Sequence, residues 1–222
     1  MSEIPDGSVY RGAGISPDFY ATLGLGLDTP QGIAYATVEK LIGEHCQGAK
    51  TGLDYGSGTG RSTRFLVQLG LEEVIGVDVA HEMLKKAMDQ ETEGMSFQLI
   101  SSGTLPFQDK YFDLAFSGIV FVEIQTKEEI RKILKELKRV ITDQGSIVFL
   151  TCTKVGYIAD SDRFKCLLTE SQNQNLKDGD PVPTGIIGNE QIFTDYFWSD
   201  EFYRGLFEEI GLSLMESRLT GE

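Results

Sequence analysis

Leu53-Asp54-Tyr55-Gly56-Ser57-Gly58-Thr59-Gly60 joins an apolar strand signal to a helix start through glycines at alternate positions. Glycine puts no Cβ between a ligand and the backbone and permits positive φ. The helix that follows carries Phe65, Leu66 and Leu69 on one face before Gly70 stops it, and aims its N-terminal amides at whatever occupies the loop. About eighteen residues past Gly60, a second strand signal, Val74-Ile75-Gly76-Val77, ends in Asp78. A carboxylate there sits beside the glycine loop and can accept two hydrogen bonds from a ribose diol. Loop and acid together read as a nucleotide-type cofactor site.

Spacing separates the kinds of glycine loop. A phosphate-cradling P-loop needs G-x-x-x-x-G-K-[ST], and here, aligned on Gly60, Tyr55 replaces the first glycine and Arg61 the lysine. A dinucleotide fingerprint needs G-x-G-x-x-G, and Arg61 takes the third glycine's place. Alternating G-x-G-x-G after an acidic strand end resembles the class I S-adenosylmethionine-dependent methyltransferases, in particular their small-molecule branch. So does Gly76-Val77-Asp78-Val79-Ala80-His81-Glu82-Met83-Leu84. Further blocks extend the likeness: Leu105-Pro106-Phe107, Phe112-Asp113-Leu114-Ala115-Phe116-Ser117, Ser146 to Leu150, and Phe207 to Leu212.

What the resemblance implies is residue-specific. Asp54 and backbone groups of Gly56, Gly58 and Ser117 would hold the methionine part of S-adenosylmethionine, with Tyr55 and Gly60 in the same loop. Asp78 would take the ribose hydroxyls, and Val79 and Met83 would pack on the adenine. Where the family has an acid for the adenine amino group, this chain has Ser101-Ser102; a neutral acceptor contributes about half as much as a charged one. The resemblance supplies no general base. Glu123 follows the fourth strand, and Glu190, Asp195 and Tyr196 lie in a candidate lid; Glu123 and Tyr196 are the catalytic candidates. Asp109, Asp113 and Glu123 lie near the fourth strand, but spacing alone makes no magnesium site, and no metal is expected.

These groups need a scaffold that brings strand ends together. Residues about 31 to 46 have helical apolar spacing; strand 51–55, helix 60–69, strand 73–78, helix 81–90 and strand 96–100 then alternate. Such alternation implies an α/β fold with parallel strands joined by right-handed crossovers. After strand 112–118, Thr126 and Glu129 form a capping box ahead of the stripe Ile130, Ile133, Leu134, Leu137, Val140 and Ile141. The expectation is a Rossmann-like, doubly wound, mostly parallel sheet with helices on both faces. A single methyltransferase domain would span 1–222: cap and helix 1–50, cofactor core 51–154, substrate lid 155–198, last helix and strand 199–222.

Two segments depart from the alternation. Met1 to about Leu27, with Tyr10, Phe19 and Tyr20, and Val155 to Trp198, with Phe193, Tyr196 and Phe197, read as loops over the site or as aromatic pins to the core. A helix starts after Ser199, and Leu212 to Arg218 is the sixth-strand candidate. Only Leu219 to Glu222 follow, too few for a strand of about five to six residues, so for the family's usual seventh strand either the given sequence is truncated, or an earlier segment stands in, or a second subunit pairs with the edge. Gln191 to Thr194 is a substitute. A bare apolar edge otherwise invites association, so a homodimer or another cover is expected there.

Composition bounds the partners. The 222 residues are 41% hydrophobic, enough for one sizeable core. A formal net charge of −14 argues against nucleic acid, whose binding needs basic patches. Three widely spaced cysteines suggest neither disulfides nor zinc, the N-terminus lacks a secretory signature, and no apolar run approaches the roughly 20 residues of a membrane span. A cytoplasmic enzyme acting on a small molecule follows. An NAD-type oxidoreductase and a catalytically silent S-adenosylmethionine-binding protein are the alternatives.

Overall fold

A computed structural model describes residues 16–22, 30–158, 163–188 and 190–220. At its centre strands Thr51–Tyr55 (β1), Glu73–Asp78 (β2), Met95–Leu99 (β3), Phe112–Gly118 (β4) and Ile141–Leu150 (β5) form a five-stranded sheet of order β3-β2-β1-β4-β5. Every pairing in it is parallel. Chain order reverses between β1 and β4, so the ligand crevice belongs at their carboxyl ends.

Period-two alternation sends side chains to both faces of this sheet. Leu53 and Tyr55 face a core built with helices Lys127–Val140 (α5) and Asp200–Ile210 (α8), through Ile130, Leu134, Leu137 and Leu206. Leu114 and Phe116 face the other core, against Val38 and Ile42 of helix Pro30–His45 (α2) and Phe65 and Leu66 of helix Arg61–Gln68 (α3). Each fully buried Leu or Ile contributes roughly 1.5–3 kcal/mol, which is why sheet and helices dock as layers. The remaining helices are Pro17–Ala21 (α1), His81–Met88 (α4), Lys154–Ile158 (α6) and Glu170–Gln174 (α7).

Four expectations change. The capping box at α5 is half formed: Thr126 accepts from the Glu129 amide at 3.3 Å, but the Glu129 carboxylate accepts from Ser102 Oγ at 2.7 Å. Residues Asp143-Gln144-Gly145 also lie inside β5, where the register jumps from Phe112↔Ile141 to Leu114↔Ser146 and the extra residues bulge out.

The lid segment is a second sheet instead of loops. Strands Phe164–Cys166 (β6), Pro181–Ile186 (β7) and Ile192–Tyr196 (β8) pair antiparallel in the order β6-β7-β8 over a small core of Tyr157, Leu176, Val182 and Phe197. Prolines in the middle strand mask it in the sequence. They are tolerated because β6 pairs only with Thr184 to Ile186, so Pro181 and Pro183 lie past that pairing, where only the Pro183 carbonyl is used, accepting from Leu167 N at 2.9 Å. Phe19 of α1 meets Phe164 of this sheet at 5.9 Å between ring centroids, and Phe164 meets Phe193 at 5.8 Å. Tyr10 lies outside the described residues.

Leu212 to Arg218 is not a strand. Gly211 ends α8 in the left-handed region at φ 72°, Leu212 N donates back to Phe207 O at 2.8 Å, and the tail then crosses the end of α2, where His45 meets Glu216 at 2.7 Å and Arg218 pairs with Glu44. These contacts hold the tail against α2. Gln191 to Thr194 is no substitute either, since β8 belongs to the second sheet. Among the described residues the outer edge of β5 has no partner strand.

Candidate functional site

A cleft of about 2950 Å³ opens along the carboxyl ends of β1, β2 and β4. It exceeds a single small-ligand pocket of roughly 300–1,000 Å³, because it continues under the second sheet and along the bare edge of β5 to the tail. Tyr55, Gly56, Ser57, Gly58, Asp78, Val79, Met83, Ser101 and Ser102 line one end.

At that end the glycines divide their work. Gly56 adopts φ 76°, and a Cβ there would sit 2.2 Å from Val120 Cγ2, so the position is closed to any side chain. Gly58 adopts φ 53°, and a Cβ on it would meet nothing within 4 Å. Its backbone therefore faces open cleft. Gly60 packs against Phe97 and Ala87 and supports α3 rather than facing a ligand. Ser57 Oγ is buried without a hydrogen-bond partner, as is Asp54 Oδ1.

Both acids are braced. Asp54 Oδ2 accepts from Ser62 Oγ and Thr63 Oγ1 of the first turn of α3, each at 2.7 Å. Complete burial outweighs those bonds and pushes its carboxyl up to about 6. Asp78 Oδ2 accepts from Gly58 N and Oδ1 from Ala80 N, both at 2.8 Å, so the carboxylate ties the glycine loop to the turn after β2. Each Asp78 oxygen keeps a further lone pair for a ligand hydroxyl. Burial raises this carboxyl, and the backbone amides of Ala80, Gly58 and Val79 pull it back. Ser117 Oγ donates to Tyr55 O at 2.9 Å, fastening β4 to β1. Tyr55 accepts from Gly103 N at 3.3 Å, and burial pushes its phenol up to about 12.

The other end is an acidic chamber. After β4, Ile119 takes φ 60°, rare for a β-branched residue and costing about 1–3 kcal/mol. Its amide donates to Leu150 O at 3.1 Å, and the chain turns into the short 3₁₀ helix Phe121–Glu123, which packs on β8. Glu123 lines the cleft; burial first, then Asp195 and Asp78, push its carboxyl up to about 8. Buried Asp195 on β8 also lines it, and burial pushes that carboxyl up to about 7 against a hydrogen bond from Thr184. Cys152 lies alongside, its thiol pushed up to about 12 by burial and by Asp195.

Tyr196 does not line the cleft. Alternation along β8 puts Phe193 and Asp195 on the face toward the chamber and Tyr196 on the opposite face, where it joins the α5–α8 core. The residue that the lid offers is its neighbour Asp195, and strand period is the signal that would have chosen it. Tyr157, whose hydroxyl is buried without a partner, gave no sequence signal. Trp198 is fixed in the core, Nε1 donating to Ile124 O at 3.0 Å and the ring 4.4 Å from Phe202. Asp109 and Asp113 sit at the far end of β4 from Glu123, bound to Arg139 and to Lys50 and Thr51. Among the described residues Glu44, His45 and Glu216 have the spacing for an ion, but Arg218 already bonds both glutamates. No helix of the described residues is long and apolar enough to cross a membrane.

Residues 53–149 match the family model of a methyltransferase domain. The biotin biosynthesis bifunctional protein of Cellvibrio japonicus is 32% identical over 147 residues, covering 58% of this chain and 28% of that protein. The malonyl-[acyl-carrier protein] O-methyltransferase of Halorhodospira halophila is 32% identical over 102 residues, covering 45% of this chain and 34% of that protein. The matches thus span about a third of these relatives' length. In fold, the chain is similar to an S-adenosylmethionine-dependent methyltransferase from Clostridium acetobutylicum, with a TM-score of 0.62, 14% identity and coverage of 89% and 84% of the two chains.

Proposed function

Because residues 53–149 match the family model of a methyltransferase domain, we propose that the chain is a class I S-adenosylmethionine-dependent methyltransferase and transfers the methyl group to a small-molecule acceptor held in the chamber under the second sheet. One observation carries the reading: the open backbone of Gly58 and the unpartnered Ser57 hydroxyl lie beside an Asp78 carboxylate with lone pairs to spare. Those groups fit the cofactor. Gly56 and Gly58 would hold its methionine part, Asp78 its ribose, and Val79 and Met83 its adenine, with Ser101 at the rim. Ser102 Oγ donates to Glu129 and keeps lone pairs with which it would accept from the adenine amino group.

The bound cofactor supplies a sulfonium methyl group whose leaving group is already activated. The protein's own share is alignment and exclusion of water, which can be worth roughly 7–11 kcal/mol. The second sheet, held down by Phe19 of α1 on Phe164, screens the chamber. Glu123 is placed to take the acceptor's proton, and its raised pKa suits a base acting near neutral pH. A carboxylate acceptor, as in the malonyl relative, would meet Glu123 and Asp195 with like charge. The setting that fits best is a cytoplasmic one, with no nucleic-acid partner.

Native mass spectrometry of freshly purified protein tests the reading. Retained S-adenosylmethionine or S-adenosylhomocysteine is expected. A retained nicotinamide dinucleotide, or no affinity for S-adenosylhomocysteine on titration, would overturn it, and cofactor binding without turnover on any acceptor would mark a silent binding protein.

A further inference from the structure

We propose that the acceptor is a small amine, seated with its nitrogen against Glu123 and Asp195 and methylated on that nitrogen. The inference rests on the methyl-transfer reading and names the substrate class for it. Two carboxyl groups line one chamber, on elements packed directly against each other, and neither has a cation against it among the described residues. Lys154 also lines the cleft, but its Nζ donates to Gln174 O at 2.8 Å and lies over the Phe197 ring. Carboxylates gathered without a counter-charge are costly unless a ligand brings one.

A second observation points into the same space. The Tyr157 hydroxyl is buried, lines the cleft and has no hydrogen-bond partner. An ammonium has donors for both carboxylates and for this oxygen. The rings of Tyr157, Phe193 and Phe197 also line the cleft, and aromatic faces attract a cation further. An alcohol offers one donor and no charge, and a carboxylic acid brings like charge.

The step balances. An entering ammonium gives one proton to the Glu123 carboxylate, and the freed nitrogen lone pair forms the bond to the methyl carbon. The electron pair of the broken carbon–sulfur bond stays on sulfur, which becomes a neutral thioether. The product leaves as an ammonium, and Glu123 releases its proton to solvent.

Titration calorimetry with phenethylamine, 2-phenylethanol and phenylacetate, with and without saturating S-adenosylhomocysteine, tests the class. The amine should bind at least tenfold tighter than either analogue. Glu123→Gln, Asp195→Asn and the double variant are measured together, so that one folded variant suffices. Each should weaken amine binding at least tenfold and leave the S-adenosylhomocysteine affinity within about twofold of wild type. Equal binding of the three probes, preference for phenylacetate, an amine preference that survives in the variants, or no binding of any probe would overturn the proposal. Failure of S-adenosylhomocysteine to bind, with the amine preference intact, would instead overturn the methyl-transfer reading.

Discussion

Replacing Glu123 by glutamine should make the protein more stable in alkali and no more stable in acid. The glutamate carboxyl, ordinarily at 4.5, is pushed up to about 8, first by burial and then by Asp195 and Asp78. A raised carboxyl pKa means that the folded state binds the proton more tightly than the unfolded chain does. The stability that this proton confers is fully present below about pH 4.5 and is lost as pH rises through about 8. At about 1.4 kcal/mol per pKa unit, the whole shift corresponds to about 5 kcal/mol. Water reaching a half-buried group at an open cleft reduces this, and about 2 kcal/mol at pH 8.5 is a realistic expectation. Glutamine keeps the shape and never ionises, so Glu123→Gln should melt about 4–8 °C higher at pH 8.5, given about 2–4 °C per kcal/mol for a chain of this size. Below pH 4.5 the two proteins should melt together. Scanning calorimetry across that range measures both limbs. Coincident melting at pH 8.5, or a gap that stays constant down to pH 4, would refute the burial of this carboxyl.

Asp78→Ala should weaken S-adenosylhomocysteine binding roughly ten- to a hundredfold, about 1.5–3 kcal/mol; unchanged affinity by calorimetry would remove Asp78 from the site. Gly58→Val should abolish that binding and still fold, because its side chain enters open cleft, whereas Gly56→Ala should lower the melting temperature by driving into Val120. The reverse pattern in paired melting and ligand-shift curves would reverse the roles of the two glycines. Trp198→Phe leaves Ile124 O without its donor and should cost about 1 kcal/mol in urea denaturation, a loss that an unchanged midpoint would contradict.

Legibility followed locality. The glycine loop, the strand acid at 78 and the Ser199 cap of α8 are short-range devices, and the geometry of each follows from its own neighbours in the chain. Ser102 and Glu129 were each read from their own surroundings, as an adenine contact and half of a capping box. They bond to each other across 27 positions, a contact that neither neighbourhood announces. The second sheet stayed hidden because prolines argue against a central strand until the shortness of β6 is known. Tyr196 and Asp195 are adjacent, so only the facing of β8 chooses between them. The tail is not a strand; its Glu216 and Arg218 meet His45 and Glu44 of α2, contacts 171 and 174 positions apart that no local pattern announces.

Ile119 gives the site an awkward relation to protein engineering. Glycine or asparagine would accept its left-handed backbone at lower cost, and the side chain is 40% exposed with little packing to lose. A screen for thermostability should therefore favour replacing it. The same strain limits the conformations of the turn that aims Glu123, and a looser residue would let that carboxylate sample more directions. Selection for melting temperature and selection for turnover should pull position 119 apart, the trade-off expected where an active site is held in a conformation that its own sequence does not prefer.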